Sequence, residues 1–263
     1  MNVVVCIKQV PEKSVPMDGE NGVLDRSRSG SRMNPWDGYA LEAGLRIARG
    51  TGGTVTALSM GPDSAGQSLK TALAMGADRA VLLCDRAFAG ADVYATAYTL
   101  AQGIEALGKF DLVLCGQQTT DGDTAQLPFS LGVRLGLPVL GWVKKLELTA
   151  EGLTADQELS LGTQRAEIKG PCVLAVGEGV GTPRIPTLRD QLSARKKQVL
   201  RLGLSDLSDG DEMHYGLAAS PTHVAGVRET AEARRSEPLA LSPEAAAELL
   251  LQYQSSCSGE AEA

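Results

Sequence analysis

Aromatic residues are scarce, with Phe, Trp and Tyr making up 4% of 263 residues. Histidine occurs twice, at His214 and His223, far from any pair of cysteines, so no zinc ligand set is visible. The five cysteines (6, 84, 115, 172 and 257) are odd in number and never close together. That spacing excludes a disulfide framework, and four of them stand in apolar, strand-like runs, as reduced core thiols do. No apolar run approaches the ~20 residues of a membrane-spanning helix. The opening MNVVVCIKQVP enters a strand with no basic leader, so neither a signal peptide nor membrane insertion is expected. Positive charge is in deficit, 25 Lys and Arg against 32 Asp and Glu, a net charge of −7. A chain without a basic face has no footprint for nucleic acid. The short basic run ending at Lys197 reads as a solvated helix face. A reduced cytoplasmic protein is the expectation.

Glycine is plentiful, at 30 residues, and apolar residues reach 43%. Small aliphatic residues with many glycines suit an α/β domain whose strands are covered on both faces. Five apolar runs fit such strands: VVVCIKQV at the start, TVTALSMGP from Thr54, RAVLLCD from Arg79, FDLVLCG from Phe110 and LPVLGWV from Leu137. Between them helical spacing appears. Asn34-Pro35 reads as an N-cap and a first helical proline, and Leu41, Leu45 and Ala48 continue the stripe. Val93, Ala97, Leu100, Ile104 and Leu107 form a second stripe. The alternation predicts a doubly wound, mainly parallel sheet of Rossmann-like, nucleotide-binding type. After Lys144 two or three strands follow with turns at Glu151-Gly152 and Gly162, read as antiparallel additions to one edge. Residues 1–199 are thus assigned to the α/β domain. Residues 200–255 form an extended C-terminal arm with a final helix, SPEAAAELLLQYQ from Ser242, and 256–263 a disordered tail.

The stretch CGQQTTDGDTAQ, Cys115 to Gln126, joins a strand to a helix. Gly122 permits a left-handed turn, and Thr124, Ala125 and Gln126 would offer free amides to an anion. An Asp-Gly turn with an aspartate cap needs no ligand, and both readings stand on these residues alone. Cys84 and Cys115 end apolar strands with no histidine nearby and read as inert thiols.

Longer blocks carry a resemblance. VCIKQVP, MNPWDGYALEAGLR from Met33, SMGP from Ser59, ALAMGADRAVLL from Ala72, FDLVLCGQQTTDGDTAQ and PRIPTLRDQLSARKK from Pro183 occur in this order. Over nearly its whole length the chain resembles the β subunits of electron transfer flavoproteins. Departures are local: Trp36 replaces the family's usual Phe, Leu127-Pro128-Phe129 a Gly-containing stretch, and Gly181-Thr182 an Asn-Glu pair. The resemblance implies a heterodimer with an α subunit that the C-terminal arm clasps. It also implies a nucleotide held by Cys6, Ile7 and Lys8, by Asn34, by Met60, and by Gln118, Thr119, Asp121, Gly122, Asp123, Thr124, Ala125 and Gln126.

Family members carry either AMP or FAD there. RAFAGADVYATAYTLA from Arg86 and the loop Asp-Gly-Asp-Thr-Ala-Gln resemble the electron-bifurcating, FAD-carrying group. That likeness adds Gly90, Ala91, Asp92 and Thr96 to the implied FAD contacts, although a helix cap alone also explains Gly90 to Asp92. It further implies NADH as hydride donor, and an acyl-CoA dehydrogenase-type flavoenzyme and ferredoxin or flavodoxin as electron acceptors. Pro186, Thr187, Leu188 and Arg189 match the segment that docks on the dehydrogenase. No residue matches a covalent or acid–base catalyst. A different class, an ATP-binding stress or regulatory protein of the same architecture, would lack any use for the docking block and the arm.

Overall fold

The runs of Val, Leu and Ala do form strands, with side chains alternating between two buried faces. In a computed structural model describing residues 1–12, 30–149, 152–224 and 240–258 (side chains to 253), the chain opens with β1 (Val3–Cys6). An antiparallel pair, β2 (Gln9–Pro11) and β3 (Ser31–Met33), precedes α1 (Pro35–Thr51). There follow β4 (Val55–Met60), α2 (Gly66–Met75), β5 (Arg79–Leu83), α3 (Val93–Ala106), β6 (Leu112–Gly116) and α4 (Leu127–Leu135). Next come β7 (Val139–Thr149), β8 (Gly152–Leu159), β9 (Gly162–Ile168) and β10 (Cys172–Val176). Then α5 (Leu188–Lys196) and β11 (Leu200–Leu202) complete the unit that spans Met1–Gly226.

The main sheet runs β11-β5-β4-β1-β6-β10-β7-β8-β9. Pairing is parallel from β11 to β7 and antiparallel across β7, β8 and β9. Val3, Val5 and Ile7 pack with Leu41, Leu45, Leu69 and Leu73 of α1 and α2. Val4 and Cys6 pack on the other face with Leu100, Ile104 and Leu131 of α3 and α4. This is the three-layer, doubly wound architecture that the alternation of elements predicts. From β1 the chain winds out through β4 and β5, then returns to place β6 on the other side of β1. The topological switch therefore falls between the carboxyl ends of β1 and β6, where open α/β sheets form their binding crevice.

Several expectations change in detail. The run CVLAV is not an antiparallel addition: β10 lies inside the parallel sheet, between β6 and β7, where its five buried residues are covered on both faces. β7 changes partners along its length. It pairs with β10 at its start and β8 at its end, with the register shifting around Trp142, whose φ is 54°. From residue 200 to 224 the chain stays on the domain. β11 extends the sheet beside β5, and Tyr215 is fully buried with ring centroids 5.3 Å from Phe88 and from Tyr98. One carboxylate anchors this return: Asp209 Oδ2 accepts from Tyr98 Oη at 2.5 Å and lies 2.6 Å from His214 Nδ1. Its backbone carbonyl accepts from Tyr215 Oη at 2.6 Å. The segment lacks a sequence period because side-chain hydrogen bonds, not a repeating apolar face, hold it. A second unit, Val227–Ala263, contains α6 (Pro243–Ser258), so the final helix reaches three residues into the expected tail. Residues 259–263 lie outside the described residues.

Candidate functional site: the carboxyl edge between β1 and β6

Asn34 is fully buried just before α1, and it does not cap the helix through its side chain as the Asn-Pro pair suggests. Its carboxamide is used elsewhere. Nδ2 donates to Asp37 Oδ1 at 2.8 Å and to the Gln118 carbonyl at 2.9 Å, while Oδ1 accepts from Thr120 N at 3.3 Å. Asn34 N in turn donates to the Lys8 carbonyl at 2.9 Å. Asn34, through its backbone and its side chain together, therefore ties the chain just past β1, the start of α1 and the loop after β6.

Asp37, which the sequence reading left out of the site, completes that knot. Its Oδ2 accepts from Lys8 N at 2.7 Å, and the amide of Gly116 is a third donor. Burial pushes its carboxyl up to about 7, against the pull of these donors and of the Lys8 charge. Gly116 is required by the same packing. A Cβ there would stand 2.4 Å from Asp37 Oδ1 and 2.8 Å from the Trp36 carbonyl carbon. The available signal was the three-residue spacing of Asn34 and Asp37 at a helix start, which lets the two side chains meet.

Lys8 spends its ammonium on the loop, with Nζ 2.7 Å from Asp121 Oδ1, which also accepts from Gly122 N at 2.8 Å. Burial raises the Asp121 carboxyl, but Lys8, Gly122 and Thr119 outweigh it and hold the group below its ordinary value. This accounts for one of the two aspartates: it is neutralised from β1. The left-handed positions of the loop are Asp123 (φ 47°) and Ala125 (φ 53°). Gly122, the expected turn glycine, is not among them. Alternation of left- and right-handed residues turns successive N–H groups toward one point and makes an anion-binding nest. Among the described residues, the amides of Thr124, Ala125 and Gln126 donate to no protein group, and α4 begins immediately after them. The loop thus offers free donors at a helix start, as a phosphate requires.

The remaining candidates fall at the ends of three strands, β4, β1 and β5. Met60 ends β4, and Gly61 N donates to the Leu83 carbonyl at 3.0 Å before the chain turns into α2. Cys6 and Ile7 are buried at the end of β1. Gly90, Ala91, Asp92 and Thr96 lie beyond β5, two strands from β1. There Asp92 caps α3, Oδ1 accepting from Ala95 N at 3.0 Å. Its Oδ2 takes both Thr222 N at 3.1 Å and Thr222 Oγ1 at 2.7 Å, and its own amide donates to Ser220 Oγ at 2.9 Å. Both oxygens are engaged, Oδ1 by α3 and Oδ2 by the returning chain. Leu217 covers Gly90 closely: a Cβ on that glycine would stand 3.1 Å from the leucine's Cβ.

Pro186 and Thr187 lead into α5. Thr187 and Asp190 form a reciprocal capping box, so Leu188 and Arg189 open a helix whose first leucine is 72% exposed. The preceding Arg184 is fixed by Glu42 through two hydrogen bonds of 2.7 and 2.6 Å. Among the described residues, no group of His, Cys, Asp and Glu could hold a metal, and no helix is long and apolar enough to cross a membrane.

Fold and site together define a doubly wound α/β protein with free amides at its topological switch, the setting in which an anion would be held. Comparison with known proteins narrows the class. The family described as "Electron transfer flavoprotein domain" matches residues 21–207. The chain is 41% identical over 225 residues, 85% of this chain and 86% of the other, to the electron transfer flavoprotein subunit beta of Thermoanaerobacterium thermosaccharolyticum. It is 38% identical over 226 residues (85% and 86%) to the caffeyl-CoA reductase-Etf complex subunit CarD of Acetobacterium woodii. Over 232 residues (85% and 83%) it is 38% identical to Protein FixA of Azorhizobium caulinodans. The chain belongs to the electron transfer flavoprotein family, as a β subunit. The ATP-binding stress-protein alternative falls away with that assignment.

Proposed function

We propose that the chain is the FAD-binding β subunit of an electron-bifurcating heterodimer. In this reading NADH is the hydride donor, and the acceptors are an acyl-CoA dehydrogenase-type flavoenzyme, reached through the α-subunit flavin, and ferredoxin or flavodoxin. The observation that carries the reading is the nest of free amides at Thr124, Ala125 and Gln126, set at the switch between β1 and β6. Bound there, FAD would supply hydride acceptance and one-electron transfer, chemistry that the chain's own side chains lack. The residues bind and orient. Thr124, Ala125 and Gln126 would donate to the diphosphate. Lys8 cancels the charge of Asp121 beside it, and Asn34 and Asp37 hold the loop in register with β1. The likeness of RAFAGADVYATA and DGDTAQ to the bifurcating group supports FAD. Similarity to a subunit of a caffeyl-CoA reductase complex supports an acyl-CoA-type partner.

One observation favours a second reading, in which the pocket holds AMP. Asp92 has no oxygen free and Gly90 lies under Leu217, so the ground beyond β5 is occupied by the chain itself. Extraction of the ligands from the purified αβ complex separates the two. The FAD reading expects two FAD per αβ pair and bleaching by NADH; one FAD with one AMP, and no reaction with NADH, overturns it. For docking on the dehydrogenase, Leu188→Ala should weaken electron transfer at low partner concentration without loss of flavin, and an unchanged rate refutes that assignment.

A further inference from the structure

Nine residues are too few for a helix to persist alone in water, and α5 has little else to hold it, with Ala194 its buried residue. Its first turn is closed by the capping box. Its last turn is closed from outside. Lys70, in the middle of α2, points its ammonium at the carboxyl end of α5, donating to the Ala194 carbonyl at 3.3 Å, to Arg195 at 3.1 Å and to the Lys197 carbonyl. Lys197 returns the contact, its Nζ donating to the Ala77 carbonyl at 3.2 Å, just past the end of α2. A cation on the orphan carbonyls of a helix C-terminus satisfies them and complements the dipole. Leu188 and Leu192 are one turn apart on the clamped helix, 72% and 49% exposed.

We infer that Lys70 is a positioning residue for partner docking: by clamping the carboxyl end of α5 to α2 it fixes the direction in which Leu188 and Leu192 are presented. The inference rests on the reading of the Pro186–Arg189 segment as the docking element. Preorganisation is what the clamp contributes. A helix that frays when free must be ordered at the moment of binding, and that cost comes out of the affinity. Because α2 is the helix that follows β4, whose last residue is Met60, the docking helix is mounted on the element next along the chain from a candidate nucleotide contact.

The test uses the intact αβ complex, with hydrogen exchange of the α5 amides read beside the KM for a short-chain acyl-CoA dehydrogenase and its acyl-CoA. Lys70→Met should speed exchange over the last turn of α5 and raise KM about fivefold, leaving kcat and flavin content unchanged. Lys70→Arg, which keeps donors for the carbonyls, should restore both. Lys70→Gln, with a shorter reach, should fall between and serves if the methionine variant folds poorly. Unchanged exchange in Lys70→Met overturns the clamp, and faster exchange with unchanged KM overturns its role in docking. Leu188→Ala in parallel tells the two levels apart. If it too leaves KM unchanged, the docking assignment fails; if it raises KM while Lys70→Met does not, only the positioning role fails.

Discussion

Neutralising the buried carboxylate of the site should firm up the fold while loosening its hold on the ligand. Asp37 is 4% exposed and its carboxyl is pushed up to about 7 from an ordinary 3.8. The folded chain therefore holds this proton more tightly than the unfolded chain does. The group's contribution to stability is complete below the lower value, falls as pH rises through the window, and is fully lost above the higher one. Each pH unit in that window costs ~1.4 kcal/mol, so about three units amount to about 4 kcal/mol as an upper limit. Asp37→Asn cannot ionise and loses nothing there. At about pH 4 the two proteins should agree within ~1 kcal/mol, because a neutral carboxyl and a carboxamide carry the same mismatch, each setting one donor against the donors Lys8 N, Asn34 Nδ2 and Gly116 N. At about pH 8 the variant should be the more stable, by up to ~10 °C in melting temperature for a chain of this size. Melting curves and urea midpoints of the complex, stripped of nucleotide, measured from about pH 4 to about pH 8, give the difference directly. Nucleotide retention should move the other way, since one of the two donors that meet Asp37, Asn34 Nδ2 or Lys8 N, would face an NH2 group in place of an acceptor and loosen the tie to the loop. Parallel stability curves for the two proteins would refute the reasoning, because they would mean that Asp37 does not hold a proton in the fold.

Three more perturbations probe the same frame. Gly116→Ala drives a Cβ to 2.4 Å from the pinned Asp37 Oδ1 and 2.8 Å from backbone at Trp36. Overpacking there should cost about 2–3 kcal/mol and release the nucleotide, read as a lower melting temperature and an empty pocket on purification. Lys8→Met removes the 2.7 Å ion pair that ties Asp121, whose side chain is 5% exposed, to the end of β1; the nucleotide off-rate should rise about tenfold, for a loss of about 1–2 kcal/mol. His214 is raised above its ordinary value by the hydrogen bond and charge of Asp209, so its contribution is present below about 6.5 and fades as pH climbs past the folded value. The melting-temperature gap between the chain and His214→Gln should close over that climb, and a gap independent of pH would contradict the ion pair.

Much of the fold could be read because each strand of the parallel sheet is covered on both faces and so appears as an unbroken Val/Leu run. The same property misplaced β10. Cys172–Val176 reads like any covered strand, and nothing local says that it slots between β6 and β7 instead of following β9 at the edge. Residues 200–224 were opaque for the opposite reason. Their anchors, Asp209 with Tyr98 and His214, and Asp92 with Ser220 and Thr222, join residues up to 130 positions apart, and single hydrogen bonds leave no periodic trace.

The loop itself was half legible. Its composition announced a turn at a helix start, but Gly122 drew the left-handed assignment away from Asp123 and Ala125, which adopt it. An alanine in that conformation is strained by ~1 kcal/mol or more unless its surroundings impose it. Here they do: Asn34 grips Gln118 and Thr120 on one side, Lys8 grips Asp121, and α4 begins at Leu127 on the other. The strain and the free amides have one cause. A loop tied at one end by Lys8 and Asn34 and continued at the other into α4 has no slack left to turn Thr124, Ala125 and Gln126 toward its own carbonyls, so their donors stay directed outward for an anion to find.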